Sequence, residues 1–276
     1  MPPLRRTPGM VNSAASTEPE TEGETGPAGS AITWLGHATV LIELDGVRLL
    51  TDPLLRSRLG PLRRMAAPVS PDVIQGVDAV LLSHLHADHA DPGSLRRLGP
   101  ELLVVAPLGA GSWVQRRGRS NVRELAPGAT TQVGPLTIGS TPADHDGRRH
   151  RFAPEAEAIG FVVRGSRAVY FAGDTDIFPA IGNLGVPIDV ALLPVGGWGP
   201  TLGPGHLDPG RAAEAARLIG PRLAIPIHWG TLALPWPAAR VPGHASAGQE
   251  FASCVADVAP EVEVRVLAPG ERTGLA

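Results

Sequence analysis

Six consecutive positions, His84-Leu85-His86-Ala87-Asp88-His89, hold three imidazoles and a carboxylate directly after the apolar, β-prone run Asp78-Ala79-Val80-Leu81-Leu82. Alternate residues of an extended segment point to one side, so His84 and His86 can converge on one ion. Asp88 and His89, on the turn that follows, reach a neighbouring position. The chain has only nine His in 276 residues, and such a cluster points to ligation of a metal rather than to a solvated loop. The spacing leaves room for two ions.

Three further candidates stand at the ends of apolar runs. His145 follows Leu136-Thr137-Ile138, Asp174 follows Ala168-Val169-Tyr170-Phe171, and His228 follows Leu223-Ala224-Ile225. Strand ends are stiff platforms, and a metal site works only when its ligands are held near the required geometry before the ion arrives. Gly173 and Gly230 lie beside two of these residues, where the missing Cβ permits a tight turn or a close approach. Taken alone, Asp174 reads equally well as a turn carboxylate.

The pattern H-x-H-x-D-H at 84–89 resembles the signature of the metallo-β-lactamase superfamily, and Asp144-His145, Gly173-Asp174 and Ile227-His228 follow in that family's order. The resemblance spans residues 31–270. It implies an α/β fold, a four-layer αβ/βα sandwich of two mostly antiparallel or mixed β-sheets flanked by helices. It also implies a dinuclear centre in which His84, His86 and His145 bind one ion, Asp88, His89 and His228 the second, and Asp174 bridges them. A bridging water, its pKa lowered by the ions, is then the nucleophile of a hydrolase, with Asp88 orienting the water or shuttling its proton. Ligation by His and Asp without thiolate suits zinc first and also manganese or iron.

The opening Trp34-Leu35-Gly36-His37-Ala38-Thr39, with Thr51-Asp52-Pro53 after it, is similar to the branch containing N-acylphosphatidylethanolamine-hydrolysing phospholipase D and ascorbate-6-phosphate lactonase. That branch implies a phosphodiester, lactone or ester as the small-molecule substrate, with β-lactams well behind. Membrane phospholipid fits poorly, because no lipid-binding amphipathic helix is evident. Zinc β-lactamases usually place Cys where Asp174 stands, and the diiron flavoproteins place Glu at the position of His86. The competing class is a non-catalytic protein of the same fold that keeps metal for stability or as a scaffold. A bridging Asp, which structural zinc sites do not need, argues against it.

Other polar residues divide into two readings. Asp52 precedes Pro and serves either as a turn carboxylate or, as the resemblance implies, as the partner of a ligand's other ring nitrogen. His37 reads as structural or active-site. His206 lies in the glycine-rich run Gly196-Gly197-Trp198-Gly199-Pro200-Thr201-Leu202-Gly203-Pro204-Gly205, a kind of long loop that often lines active sites, and is a candidate catalytic donor alongside Asp88 and Asp174. Trp198 and Trp236 would wall a pocket or simply pack, and His150 and His244 read as surface residues. No G-x-S-x-G elbow and no catalytic Cys is evident.

These residues need a scaffold, and the composition supplies one. The first thirty residues, rich in Pro, Gly, Ser, Thr and Glu, read as a disordered tail; residues 31–276 form one catalytic domain large enough for a full core. Strands are expected near 31–35, 38–44, 47–51, 78–83, 102–106, 122–125, 130–133, 135–141, 158–164, 167–172, 188–194, 222–227 and 262–267. Helices are expected from Asp91 to Leu98 and near 109–117, 177–183, 209–219 and 246–258. The single cysteine, Cys254, excludes an internal disulfide and a Cys-based zinc cluster, and its helical spacing with Phe251, Val255 and Val258 suggests packing. The net charge is −3 and all 24 basic residues are Arg, scattered in pairs with no stripe for a nucleic-acid backbone. Arg5-Arg6 is not followed by an apolar export segment, and nothing approaches the ~18 apolar residues of a membrane span, so a cytoplasmic location is expected. Nothing in the sequence fixes the oligomeric state.

Overall fold

The computed structural model describes residues 1, 29–149, 156–199, 201–235 and 245–275. Apolar alternation from residue 31 builds a meander of β1 (Ala31–Gly36), β2 (Thr39–Leu44) and β3 (Val47–Thr51). Asp45 and Gly46 join the last two with φ of 50° and 81°, the left-handed pair that a two-residue hairpin needs. A small hairpin, β4 (Arg58–Leu59) and β5 (Leu62–Arg64), precedes a 3-10 turn at Pro71–Ile74. Then come β6 (Ala79–Leu81), α1 (Pro92–Arg97), β7 (Leu103–Pro107), α2 (Gly111–Gln115) and β8 (Val122–Leu125). Asp91 caps α1 by accepting the Ser94 N–H at 2.7 Å, with Pro92 at the first helical position.

The second half contains β9 (Thr130–Val133), β10 (Leu136–Pro142), β11 (Ile159–Arg164), β12 (Ala168–Phe171) and β13 (Val190–Pro194). It continues with α3 (Pro209–Ile219), β14 (Leu223–Ile227), β15 (Leu232–Ala233), α4 (Ala247–Val258), β16 (Glu263–Val264) and β17 (Arg272–Gly274). One seven-stranded sheet runs β17-β1-β2-β3-β6-β7-β8 and the other β16-β14-β13-β12-β11-β10-β9; β15 joins β5 and β4 in a third. Both large sheets are mixed. Each begins as an antiparallel meander and continues with parallel strands, from β3 to β8 in one and from β12 to β16 in the other.

The facing sheets share one apolar core in which Trp34, Phe161, Tyr170 and Phe171 are fully buried. Trp113 and Val114 of α2 cover the outer face of the first sheet, and Ala212 and Phe251 of α3 and α4 belong to the core on the second. This is the expected α/β sandwich. Trp34 stacks on Trp229 with ring centroids 5.3 Å apart, so an aromatic pair ties the sheets together next to His228.

Several expected elements differ. The helix expected at 177–183 is a series of turns, broken by Pro179 and Gly182. The strand expected at 262–267 keeps only Glu263–Val264, because the chain leaves the second sheet through Ala268-Pro269 and the Gly270 N–H bonds Trp34 O in the first. The helix near 109–117 shrinks to Gly111–Gln115. The β4–β5–β15 sheet was not foreseen, since its strands are two or three residues long and show no alternation. The tail expected at 1–30, His150, Trp236 and His244 lie almost wholly outside the described residues. Among the described residues no helix is long and apolar enough to cross a membrane.

Helix α4 approaches Trp229 so closely that a Cβ on Gly248 would lie 2.4 Å from its Cζ2. Gly248→Ala is therefore expected to destabilise the fold by about 1–3 kcal/mol despite alanine's better helix propensity. Denaturant unfolding checks this; a stabilised variant would show that the Trp229 ring yields freely.

Candidate metal centre

The loop carrying the His cluster is shaped by one carboxylate. After β6 the Leu82 N–H still bonds Val105 O at 2.8 Å, but the next donor, Ser83 N–H, goes to Asp52 Oδ1 at 2.7 Å. That capture ends the strand two residues before the expected boundary. Ser83 Oγ donates to Asp52 Oδ2 at 2.5 Å, and the same oxygen accepts His89 Nδ1–H at 2.7 Å. Arg149 closes the loop from the other side, donating to Leu85 O at 3.2 Å and Ala90 O at 2.9 Å. Nothing in the sequence marked Arg149 for this task, because its partners are backbone carbonyls.

The three other sequence-predicted ligands, His145, Asp174 and His228, arrive from the second sheet. Gly173, at φ 63°, lets the Asp174 turn pass Ser83: a Cβ there would lie 2.7 Å from the Ser83 Cβ. The Asp144 N–H bonds Thr175 Oγ1 at 2.9 Å and Asp144 O accepts the Asp176 N–H at 3.0 Å, locking the His145 and Asp174 turns together. His228 ends β14 in the left-handed region at φ 64°, with its N–H on His37 O at 2.9 Å. A left-handed conformation in a non-glycine residue costs free energy and persists only where the surroundings impose it.

All seven predicted ligands come together. His84 Nε2 lies 3.0 Å and His145 Nε2 3.1 Å from His86 Nδ1. His89 Nε2 lies 3.1 Å from His228 Nε2. The Asp174 carboxylate stands between the two groups, with Oδ2 3.1 Å from His89 Nε2 and 4.0 Å from His84 Nε2, and Oδ1 3.3 Å from His228 Nε2. Asp88 Oδ2 is 3.7 Å from His89 Nε2 and 3.9 Å from His228 Nε2.

The other ring nitrogens decide the tautomers. His145 Nδ1–H donates to Gly205 O at 2.9 Å and His228 Nδ1–H to Gly196 O at 2.8 Å. His84 Nδ1–H donates to Ser83 Oγ at 2.9 Å, whose own proton is committed to Asp52. In the neutral imidazoles each Nε2 is then a bare lone pair, and lone pairs about 3 Å apart repel unless a cation sits among them. Asp174 Oδ1 is likewise buried without a hydrogen-bond partner. These donors fit a metal cation, and the cluster is able to bind one.

The electrostatics agree. Burial pushes His84 well below the ordinary imidazole range, His145 down to about 4 and His228 down to about 3, which keeps their lone pairs free at neutral pH. For His89 burial also acts downward, but the Asp174 and Asp88 carboxylates outweigh it and raise that ring well above the usual value. Asp174 is held well below the carboxylate range against its burial by the His228 and His89 imidazoles.

Two histidines with open readings adjoin the cluster. His37 Nε2–H donates to Asp88 Oδ2 at 2.9 Å, its ring packs on His228 with centroids 3.9 Å apart, and its N–H bonds Thr231 Oγ1 at 2.7 Å. It joins the turn after β1 to residues of both halves of the site. His206 Nε2 lies 3.5 Å from Asp174 Oδ2, and its Nδ1–H points at Gly203 O, 3.1 Å away. The Asp174 carboxylate raises the His206 pKa. Cys254 lies away from the cluster on α4, partly buried against the core.

Two outcomes follow from this geometry. His37→Ala frees the Asp88 carboxylate, and metal affinity, measured by competition with a chromogenic chelator, is expected to fall about 10-fold or more; unchanged affinity would reduce His37 to packing. The second concerns acid. The unfolded chain protonates histidine near ~6.5, whereas folded His145 and His228 decline protons until about 4 and about 3. Their stabilising contribution is thus complete above the unfolded value and is lost as pH falls through that window. His89, shifted upward, is protonated in both states there and offsets nothing. Melting temperatures recorded with chelator present should drop as pH is lowered from about 6.5 toward 4; a flat profile would contradict the assignment.

A family model described as "Beta-lactamase superfamily domain" matches residues 47–229. The chain is 36% identical over 249 residues to a UPF0173 metal-dependent hydrolase of Methanopyrus kandleri, covering 87% of this chain and 97% of that protein. It is 33% identical over 234 residues to N-acyl-phosphatidylethanolamine-hydrolyzing phospholipase D 1 of Caenorhabditis elegans, covering 74% of this chain but only 65% of that relative's length. Among solved structures, Igni18, a metallo hydrolase of Ignicoccus hospitalis, shares the fold with a TM-score of 0.69 at 24% identity, over 89% of this chain and 98% of that one. Together with the clustered His and Asp residues, these likenesses identify the chain as a member of the metallo-β-lactamase superfamily and a metal-dependent hydrolase.

Proposed function

We propose that the protein is a dinuclear metallohydrolase that cleaves a small phosphodiester, lactone or ester. The carrying observation is the pair of donor groups, His84, His86 and His145 on one side and Asp88, His89 and His228 on the other, with Asp174 reaching both. Zinc is the first choice for such nitrogen and oxygen donors, with manganese or iron also suited. When bound, divalent ions acidify water into a nucleophile at neutral pH and polarise the scissile oxygen.

The chain's own residues then have separable tasks. Asp174 supplies the negative charge shared by the two groups. Asp88, oriented by His37, accepts and passes on a proton. His206 presents Nε2 to the cavity and, with its pKa raised beside Asp174, donates a proton to the leaving oxygen. A cavity of about 490 Å³ opens above these residues, lined also by Trp198, Thr201 and Leu202, a size suited to a small substrate. Among the described residues its lining has no serine or cysteine, the side chains that most often form an acyl-enzyme. An open cavity over the donor set also favours catalysis over a structural site, which is closed. The name of the worm relative supports a phosphodiester as first substrate to try.

Purified protein should carry up to two transition-metal ions by elemental analysis and turn over members of a chromogenic panel of phosphodiesters, lactones and esters. Asp174→Ala is expected to lose metal and activity together, about a thousandfold in kcat/KM or roughly 4 kcal/mol of transition-state stabilisation. His206→Ala should keep its metal while kcat/KM falls ~10²-fold. Loss of metal in that variant would make His206 a ligand; unchanged kinetics would make it structural.

A further inference from the structure

A second cavity, of about 580 Å³, meets the first at Ala87, Asp88 and Trp198, residues that line both. Its composition differs from that of the catalytic cavity. Three guanidinium groups, Arg56, Arg96 and Arg149, line one part, and Leu59, Leu62 and Leu234 another. The apolar part is the rim of the small β4–β5–β15 sheet, where Leu54, Leu62 and Leu232 form a separate core with Leu59 and Leu234 packed against it.

The charge in this cavity is not internally balanced. Asp88 is committed to His37 and to the ligand cluster. Asp91 caps α1 through Ser94 N and Ser94 Oγ, both at 2.7 Å, and the buried Asp91 carboxylate pairs at 3.3 Å with Arg56, whose side chain is half exposed. Arg149 donates its hydrogen bonds to backbone carbonyls and shares the fields of Asp91 and Asp88 with the other two guanidinium groups. Arg96 is exposed and has no hydrogen bond or ion pair among the described residues. Three cations therefore face two carboxylates, Asp88 and Asp91, that are both engaged elsewhere, beside an apolar wall. Guanidinium groups recognise phosphate and carboxylate through paired N–H donors.

We propose that this second cavity is a recognition subsite for the anionic end of an amphiphilic monomeric substrate, with its apolar segment on the Leu59–Leu62–Leu234 wall and its scissile bond carried past Trp198 to Asp88. The volume is that of a drug-sized ligand, which selects a single-chain amphiphile over a two-chain lipid. The subsite rests on the proposed reaction for what lies across Asp88, and is tested separately from it.

The probes are octyl phosphate and inorganic phosphate, titrated calorimetrically into the metal-loaded protein. Octyl phosphate should bind more tightly than inorganic phosphate, and Arg96→Glu should weaken octyl phosphate by about tenfold. Arg56→Ala should act in the same direction, but this residue touches the α1 cap, so Arg96→Glu with unaltered melting and metal content carries the conclusion. Equal octyl phosphate affinity in wild type and Arg96→Glu would place the phosphate on the metal centre alone and overturn the subsite. Failure of octyl phosphate to bind at millimolar concentration, or an affinity no greater than that of inorganic phosphate, would overturn it as well. Arginine-dependent binding in a protein that hydrolyses nothing on the panel would sink the proposed reaction and leave the subsite standing.

Discussion

The site depends on a fully buried carboxylate that accepts three short hydrogen bonds. Asp52 takes the Ser83 N–H, the Ser83 hydroxyl and His89 Nδ1–H, while its own N–H bonds Leu81 O and its carbonyl accepts the Thr39 hydroxyl. One side chain thereby ends β6, turns His84 through Ser83 and sets the tautomer of His89. Removing it would strand several buried donors at once, each costing about 1–3 kcal/mol. A buried negative charge of this kind is tolerable only beside compensating positive charge. The raised His89 imidazole provides it in the protein alone, and cations among the ligands would add to it.

Much of this arrangement was legible in the sequence. The 84–89 cluster, the strand-end positions of His145, Asp174 and His228, and the layered sheets all follow from residue type, alternation and family order. What escaped notice shares a physical cause. Arg149 works on backbone carbonyls, so it carries no local signal. His37 had two readings because its role depends on Asp88, 51 positions away. The small β4–β5–β15 sheet is invisible to periodicity because its strands are too short to show any. The turns at 177–183 are the opposite case, where apolar spacing suggested a helix that Pro179 and Gly182 do not permit.

Substrate choice is written in different parts of the molecule from the chemistry. The His and Asp cluster is largely buried and stands at strand ends, whereas the two cavities are walled by the glycine-rich loop after β13 and by the β4–β5 hairpin. Loops accept new side chains without disturbing the sheets that hold the ligands. Relatives of the same fold can therefore share a catalytic floor while reading unrelated molecules above it.

Residues His84 to His89 hang from the first sheet, whereas His145, Asp174 and His228 hang from the second, and His89 meets His228 across 139 residues of sequence. No ion can find its full set of donors until both halves of the chain have folded and closed face to face. Binding free energy is then released only by the finished fold. An ion held there would act as a late staple between the halves, opposing their separation rather than speeding their assembly, and its principal mechanical effect would be on the rate at which the native protein comes apart.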